Sequence, residues 1–183
     1  MLTKNNLIDD FIKEFADAKS RVNRLAQVNT ANQFNIRPAE GKWNAGDCLE
    51  HINSINEGYL LNVSRKLNQT NKSNVENADY KPRFLVQIFV NMMKPESKIK
   101  FKAPNKFKEI FTGNLDATLN RFMKVQDDFI KLAEKSREYD LKVKVPSPVT
   151  KLIKFQLGEM FMAMIEHQKR HLAQAERALK SAM

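Results

Sequence analysis

The sequence predicts an all-α protein: an up-down four-helix bundle with an extra short helix and a short two-stranded pairing in its loops. Three observations lead there. Four long stretches place apolar residues at steps of three and four, the period of a helix with one buried face. Only 5 Gly and 6 Pro occur in 183 residues, and the prolines gather in the connections, which favours long helices over a many-stranded sheet. The four long helices are joined by connections of very different lengths, which a four-helix bundle accommodates. With no internal repeat, residues 1–183 read as a single domain large enough to bury one continuous core.

Leu7, Phe11, Phe15, Ala18, Val22 and Leu25 repeat at helical spacing, so residues 4–28 form the first helix. Residues 29–41 read as a connection, because Pro38 and Gly41 do not suit a helix interior. The second helix has a well-formed start. Asn44 can cap the first turn, Asp47 three residues on can reach back in a capping box, and Trp43 before the cap can staple onto Cys48. It runs to about Leu67, with Cys48, Ile52, Ile55, Tyr59 and Val63 inward.

Residues 69–79 are polar and Asn-rich, a surface loop. Arg83 to Lys94 reads as a short, well-buried helix stopped by Pro95. Residues 98–102 and 141–145 both alternate at period two and could pair as short strands. Between them Leu115, Leu119, Phe122, Gln126, Phe129 and Ala133 mark a long helix over 113–137. The final helix covers 155–181, after the rigid Val145-Pro146-Ser147-Pro148 connector.

The single cysteine rules out an internal disulfide framework and fits a reducing cytoplasm. The N-terminus lacks a signal-peptide pattern, and the most apolar run, Phe84 to Met93, is too short to span a bilayer. The expectation is a cytoplasmic protein with no membrane partner. A net charge of +10 attracts acidic partners, but the lysines and arginines are spread over every helix, so a solvated basic surface is favoured over nucleic-acid binding. Lys98, Lys100, Lys102, Lys106 and Lys108, with Phe101 and Phe107 between, could serve single-stranded nucleic acid. They equally describe an edge strand that turns its lysines to water.

Chemistry concentrates in the three histidines. His167 and His171 are four apart on the last helix and so share a face. That face continues the apolar series Ile153, Leu157, Met160, Met164, Ala175 and Ala178. The remaining histidine, His51, borders the inward stripe of the second helix. Buried imidazoles need a partner for each ring nitrogen, and three of them from two helices suit a divalent metal with open positions. The competing reading is a hydrogen-bonded triplet without metal.

Around them, Cys48 is a fourth ligand, a reactive thiol or simply packed, the last being favoured. Asp47 either orients the His51 ring or only caps its helix. Gln174 stands on the inner face beside the ligands or at the edge of the core. Trp43 lines the pocket mouth or acts as a staple. The methionines at 160, 162 and 164 fill core rather than bind soft metal. No Ser-His-Asp set, phosphate loop or carboxylate pair offers another chemistry.

A Trp before a capped helix, a His in that helix's first two turns, and a closing His-x-x-x-His followed by Gln resemble the DinB-like metal-binding four-helix-bundle superfamily. Here these are Trp43, Asn44 to His51, and His167 to Gln174, and the likeness extends in order and length over the chain. The resemblance implies one divalent metal, zinc or nickel, held by His51, His167 and His171. It also implies a small-molecule substrate and, in some relatives, a low-molecular-weight thiol such as bacillithiol or mycothiol. A metal-dependent thiol S-transferase is the first functional expectation, a metal-dependent hydrolase or a non-enzymatic binding module the alternative, and a basic nucleic-acid-binding protein the third. A homodimer is compatible with all three.

Overall fold

The structure is a computed structural model and describes residues 2–73, 78–99, 103–108, 110–150 and 152–182. Four long helices form the body: α1 (Lys4–Val28), α3 (Ala45–Leu67), α5 (Leu115–Lys135) and α6 (Leu157–Lys180). Two short helices join them, α2 (Ala31–Asn35) and α4 (Phe84–Met93). Two small antiparallel ladders complete the fold, β1 (Leu2–Thr3) with β2 (Asp79–Tyr80), and β3 (Lys144–Pro146) with β4 (Lys154–Gln156). Among the described residues no helix is long and apolar enough to cross a membrane.

Local chemistry sets the helix starts. Thr3 accepts from the Asn6 amide at the head of α1. At α3 the capping box forms as the sequence implies: the Asn44 side chain accepts from the Asp47 amide at 2.6 Å, and Asp47 accepts from the Asn44 amide at 3.3 Å. A second capping box, Thr30 with Gln33, builds α2 inside a stretch read from sequence as plain connection. α6 begins at Leu157 because Lys154–Gln156 is taken up by β4. Gln156 and Glu159 then close a third box.

Ion pairs between helices show their directions. Glu14 meets Lys169 and Arg21 meets Glu176, so α1 and α6 run parallel. Arg121 reaches both Glu50 and Glu57, and the loops leaving α3 and α5 meet through Lys72 and Glu138, so α3 and α5 also run parallel. α1 packs on α5 and α6, and α3 packs on the same two, which leaves α1 and α3 on one diagonal. The chain therefore runs up, down, down, up. The long 68–114 crossover interrupts the simple alternation once.

The core falls into two apolar clusters. One gathers Phe11, Phe15, Phe129 and Phe161, whose rings stack; the other gathers Phe34, Leu49, Phe122 and Leu172. Between them lie the buried amides Asn53, Asn56, Gln126 and Gln168, and Asn56 donates to Gln168 at 3.3 Å. Gly46 in the first turn of α3 has Phe111 packed against its Cα, leaving no room for a Cβ.

Two expectations need correction. Of the expected 141–145 strand, Lys144–Pro146 pairs with Lys154–Gln156 in a hairpin; the partner expected at 98–102 falls largely on residues 100–102, which lie outside the described residues. A hairpin closes a shorter loop, so it forms at lower entropic cost. α4 is not well buried: Phe84 and Leu85 are 78% and 76% exposed, and Val90 is its one buried residue. α4 lies across the outside of α6, and a helix laid on a surface can bury only one side.

Candidate metal centre

α3 and α6 run antiparallel, and their seam brings the first two turns of one beside the middle of the other. His51 and the pair His167 and His171 face each other there. The three offer one ring nitrogen each, all within 4.8 Å of one another. Gln168 and Leu172 on α6 turn to the bundle axis and are buried, whereas His167 and His171, one position earlier, turn to the flank and are half-buried. The histidines thus occupy a second inward face rather than the axial stripe. Ile153, placed on that stripe from sequence, sits exposed in the β3–β4 loop.

One brace orders the cluster. The Nδ1–H of His51 donates to the Phe107 carbonyl at 2.7 Å; a carbonyl can only accept, so the proton is on Nδ1 and Nε2 carries a lone pair. Phe107 ends a single 3-10 turn, Asn105–Phe107, and its ring is buried against the core. This partner was invisible in the sequence, where Phe107 counted only as an aromatic among lysines. His51 Nε2 then lies 3.2 Å from His167 Nε2. The Nδ1 atoms of His167 and His171 are buried with no hydrogen-bond partner.

Burial lowers the His167 pKa to about 3, helped by the nearby charges of His51 and Arg170. His171 is likewise held well below the ordinary range by burial and its imidazole neighbours. Both rings are therefore neutral near pH 7, with lone pairs available.

Trp43 forms the roof, its ring 4.8 Å from that of His51 and 5.6 Å from that of His171. Trp43 and Gln174 both line the cavity that opens over the histidines, which has a volume of about 830 Å³. Asp47 and Cys48 do not. Asp47 accepts from the Phe111 amide at 2.9 Å and pairs with Arg37 at 2.9 Å, besides its cap. Cys48 is buried in the second apolar cluster, where burial pushes its thiol pKa far up. In the 98–108 segment, Lys98 lines the cavity mouth and Lys106 lies over the Phe107 ring at 4.7 Å.

The profile of the DinB superfamily matches residues 14–175, a span that contains all three histidines. The chain belongs to the DinB superfamily. No curated protein matches this DinB-superfamily chain. Among solved structures it is similar to YfiT from Bacillus subtilis, described as "a probable metal-dependent hydrolase with an unusual four-helix bundle topology". The TM-score is 0.60 at 12% identity, over 94% of this chain and 86% of YfiT. At that identity the likeness shows the shared fold. The helices of this DinB-superfamily member run up, down, down, up.

Proposed function

We propose that this protein is a cytoplasmic metal-dependent enzyme whose divalent ion, zinc or nickel, is held by His51, His167 and His171, and that it transfers a thiol to an electrophilic substrate. The observation that carries the metal site is the pair of Nε2 atoms 3.2 Å apart, with His51 locked as a lone-pair donor. Two nitrogens bound to one zinc at about 2.0–2.1 Å in tetrahedral array stand about 3.3 Å apart. A shared ion would account for that spacing.

An ion held by these three rings would supply Lewis acidity, lowering the pKa of a thiol or water bound to it. The chain's own residues do the rest. The Phe107 carbonyl holds the His51 ring in the tautomer that presents Nε2. Trp43 covers the rings and excludes water from one side. Arg170 is tied to the carbonyls of Met92 and Ile99, which anchors the end of α4 beside the cavity.

Thiol transfer ranks above hydrolysis on one ground. No carboxylate lines the cavity among the described residues to serve as a base for water, whereas a thiol, far more acidic than water, needs less help to ionise. The description of YfiT supports hydrolysis as the second reading. The deciding experiment compares thiol consumption with ester or amide cleavage by the zinc- and nickel-loaded protein. Thiol consumption with an electrophilic acceptor, lost in His51→Ala, supports the first; cleavage without any thiol replaces it with the second.

A further inference from the structure

The cavity is polarised along its length. From Met164 to Arg177 the lining of α6 runs about 20 Å at 1.5 Å per residue, with His167 and His171 between. At the Met164 end the walls are Ile55, Tyr59, Phe89 and Phe155. The rings of Phe89 and Phe155 stack at 5.9 Å, and the Tyr59 hydroxyl is already paired with Ser147 at 3.1 Å. That end offers apolar surface and no unpaired charge. At the other end stand Lys42, Gln174 and Arg177.

Lys42, Lys98, Arg170 and Arg177 all line the cavity, and among the described residues no acidic side chain does. Lining of one sign around a partly apolar cleft concentrates the opposite charge. A volume of about 830 Å³ suits a small organic molecule rather than a bare ion.

We propose that the cavity binds an amphiphilic organic acid, its apolar body against Phe89, Phe155 and Met164 and its anionic group toward Lys42 and Arg177. The three imidazoles then flank the middle of the molecule. The proposal deepens the metal-enzyme reading by naming its substrate class, and it rests on that reading only for where the reaction occurs. Binding itself follows from the cavity walls.

The test is calorimetric titration of zinc-loaded and metal-stripped protein with octanoate, octanol, octylammonium and acetate. Octanoate should bind best in both forms, with affinity rising roughly two- to fourfold per added CH₂ from butanoate upward. The double variant Lys42→Gln, Arg177→Gln should weaken octanoate at least tenfold with bound zinc unchanged, and leave octanol unaffected. Phe89→Ala should flatten the chain-length series. Equal binding of octanol, or of acetate, overturns the proposal. So does octanoate binding that requires zinc and ignores the double variant, a result that leaves the metal site standing. Charge- and length-selective binding in a protein that takes up no zinc supports the cavity assignment and sinks the metal reading instead.

Discussion

His51 Nε2 lies 3.2 Å from His167 Nε2, while the other nitrogen of His51 is committed to the Phe107 carbonyl. Either a proton or a cation has to occupy the space between those two atoms, because two lone pairs repel. Much of the behaviour of this protein follows from which of them is present.

The cation should be a single divalent metal per chain. His51→Ala, His167→Ala and His171→Ala should each reduce bound zinc or nickel by more than tenfold, and far-ultraviolet circular dichroism should stay helical, because none of the three lies in either apolar cluster. Elemental analysis after reconstitution decides it. Full metal content in His167→Ala would falsify the ligand set.

The metal should keep exchangeable positions, since three protein ligands leave a zinc site open. In a cobalt-substituted protein, small thiols should shift the visible spectrum, and chelation should leave the bundle folded. A spectrum indifferent to every thiol and anion, or cooperative unfolding on chelation, would mark the site as structural.

Cys48→Ser should retain full metal content. The thiol is buried, its pKa is pushed far up, and it stands outside the imidazole cluster. Loss of metal in that variant would show that the sulfur reaches the ion.

The metal-free protein should lose stability on acidification well above the carboxylate range. His167 takes a proton near pH 6.5 when unfolded but only near 3 when folded, chiefly because it is buried. A base with a depressed folded pKa stabilises fully above its unfolded value and progressively less below it. At pH 5 the cost from this residue alone is about 2 kcal/mol. Urea midpoints measured from pH 7.5 to 5 should fall accordingly, and less so in His167→Gln. A flat profile for the wild type would contradict the burial argument.

Arg83→Ala should destabilise the chain by about 1–2 kcal/mol, less than for a fully buried pair because the guanidinium is half exposed. The Glu159 carboxylate is fully buried and accepts from the Arg83 guanidinium, the Arg83 amide and the Gln156 amide. Burial alone would raise its pKa, yet those bonds hold it below the usual value. Removing the guanidinium leaves a buried charge short of partners. Differential scanning calorimetry reads the effect. A loss below about 0.5 kcal/mol would mean that solvent replaces Arg83 freely.

Much of this was legible in the chain. The periods of Leu7 to Leu25 and of Leu115 to Ala133, and the Asn44–Asp47 box, are local features, since hydrogen bonds within a helix involve residues three and four apart. They placed α1, α3 and α5 to within a residue or two. The pairing of His167 with His171 was readable for the same reason, and so was His51 as the remaining imidazole on an inward edge.

What the tertiary structure decided concerns contacts between distant residues. Periodicity says that a face is buried but not against what, so Phe84 and Leu85 read as core although α4 lies on an outer surface. The His51 partner is a backbone carbonyl 56 residues away, and any residue type carries one, so no sequence signal marks Phe107 for the role. The displacement of His167 and His171 from the bundle axis to its flank depends on α6 being covered on two sides, by α1 and α3 and by α4. Local hydrogen bonding and hydrophobic period set the helices; the direction each turns, and the cavity between them, came from how they pack.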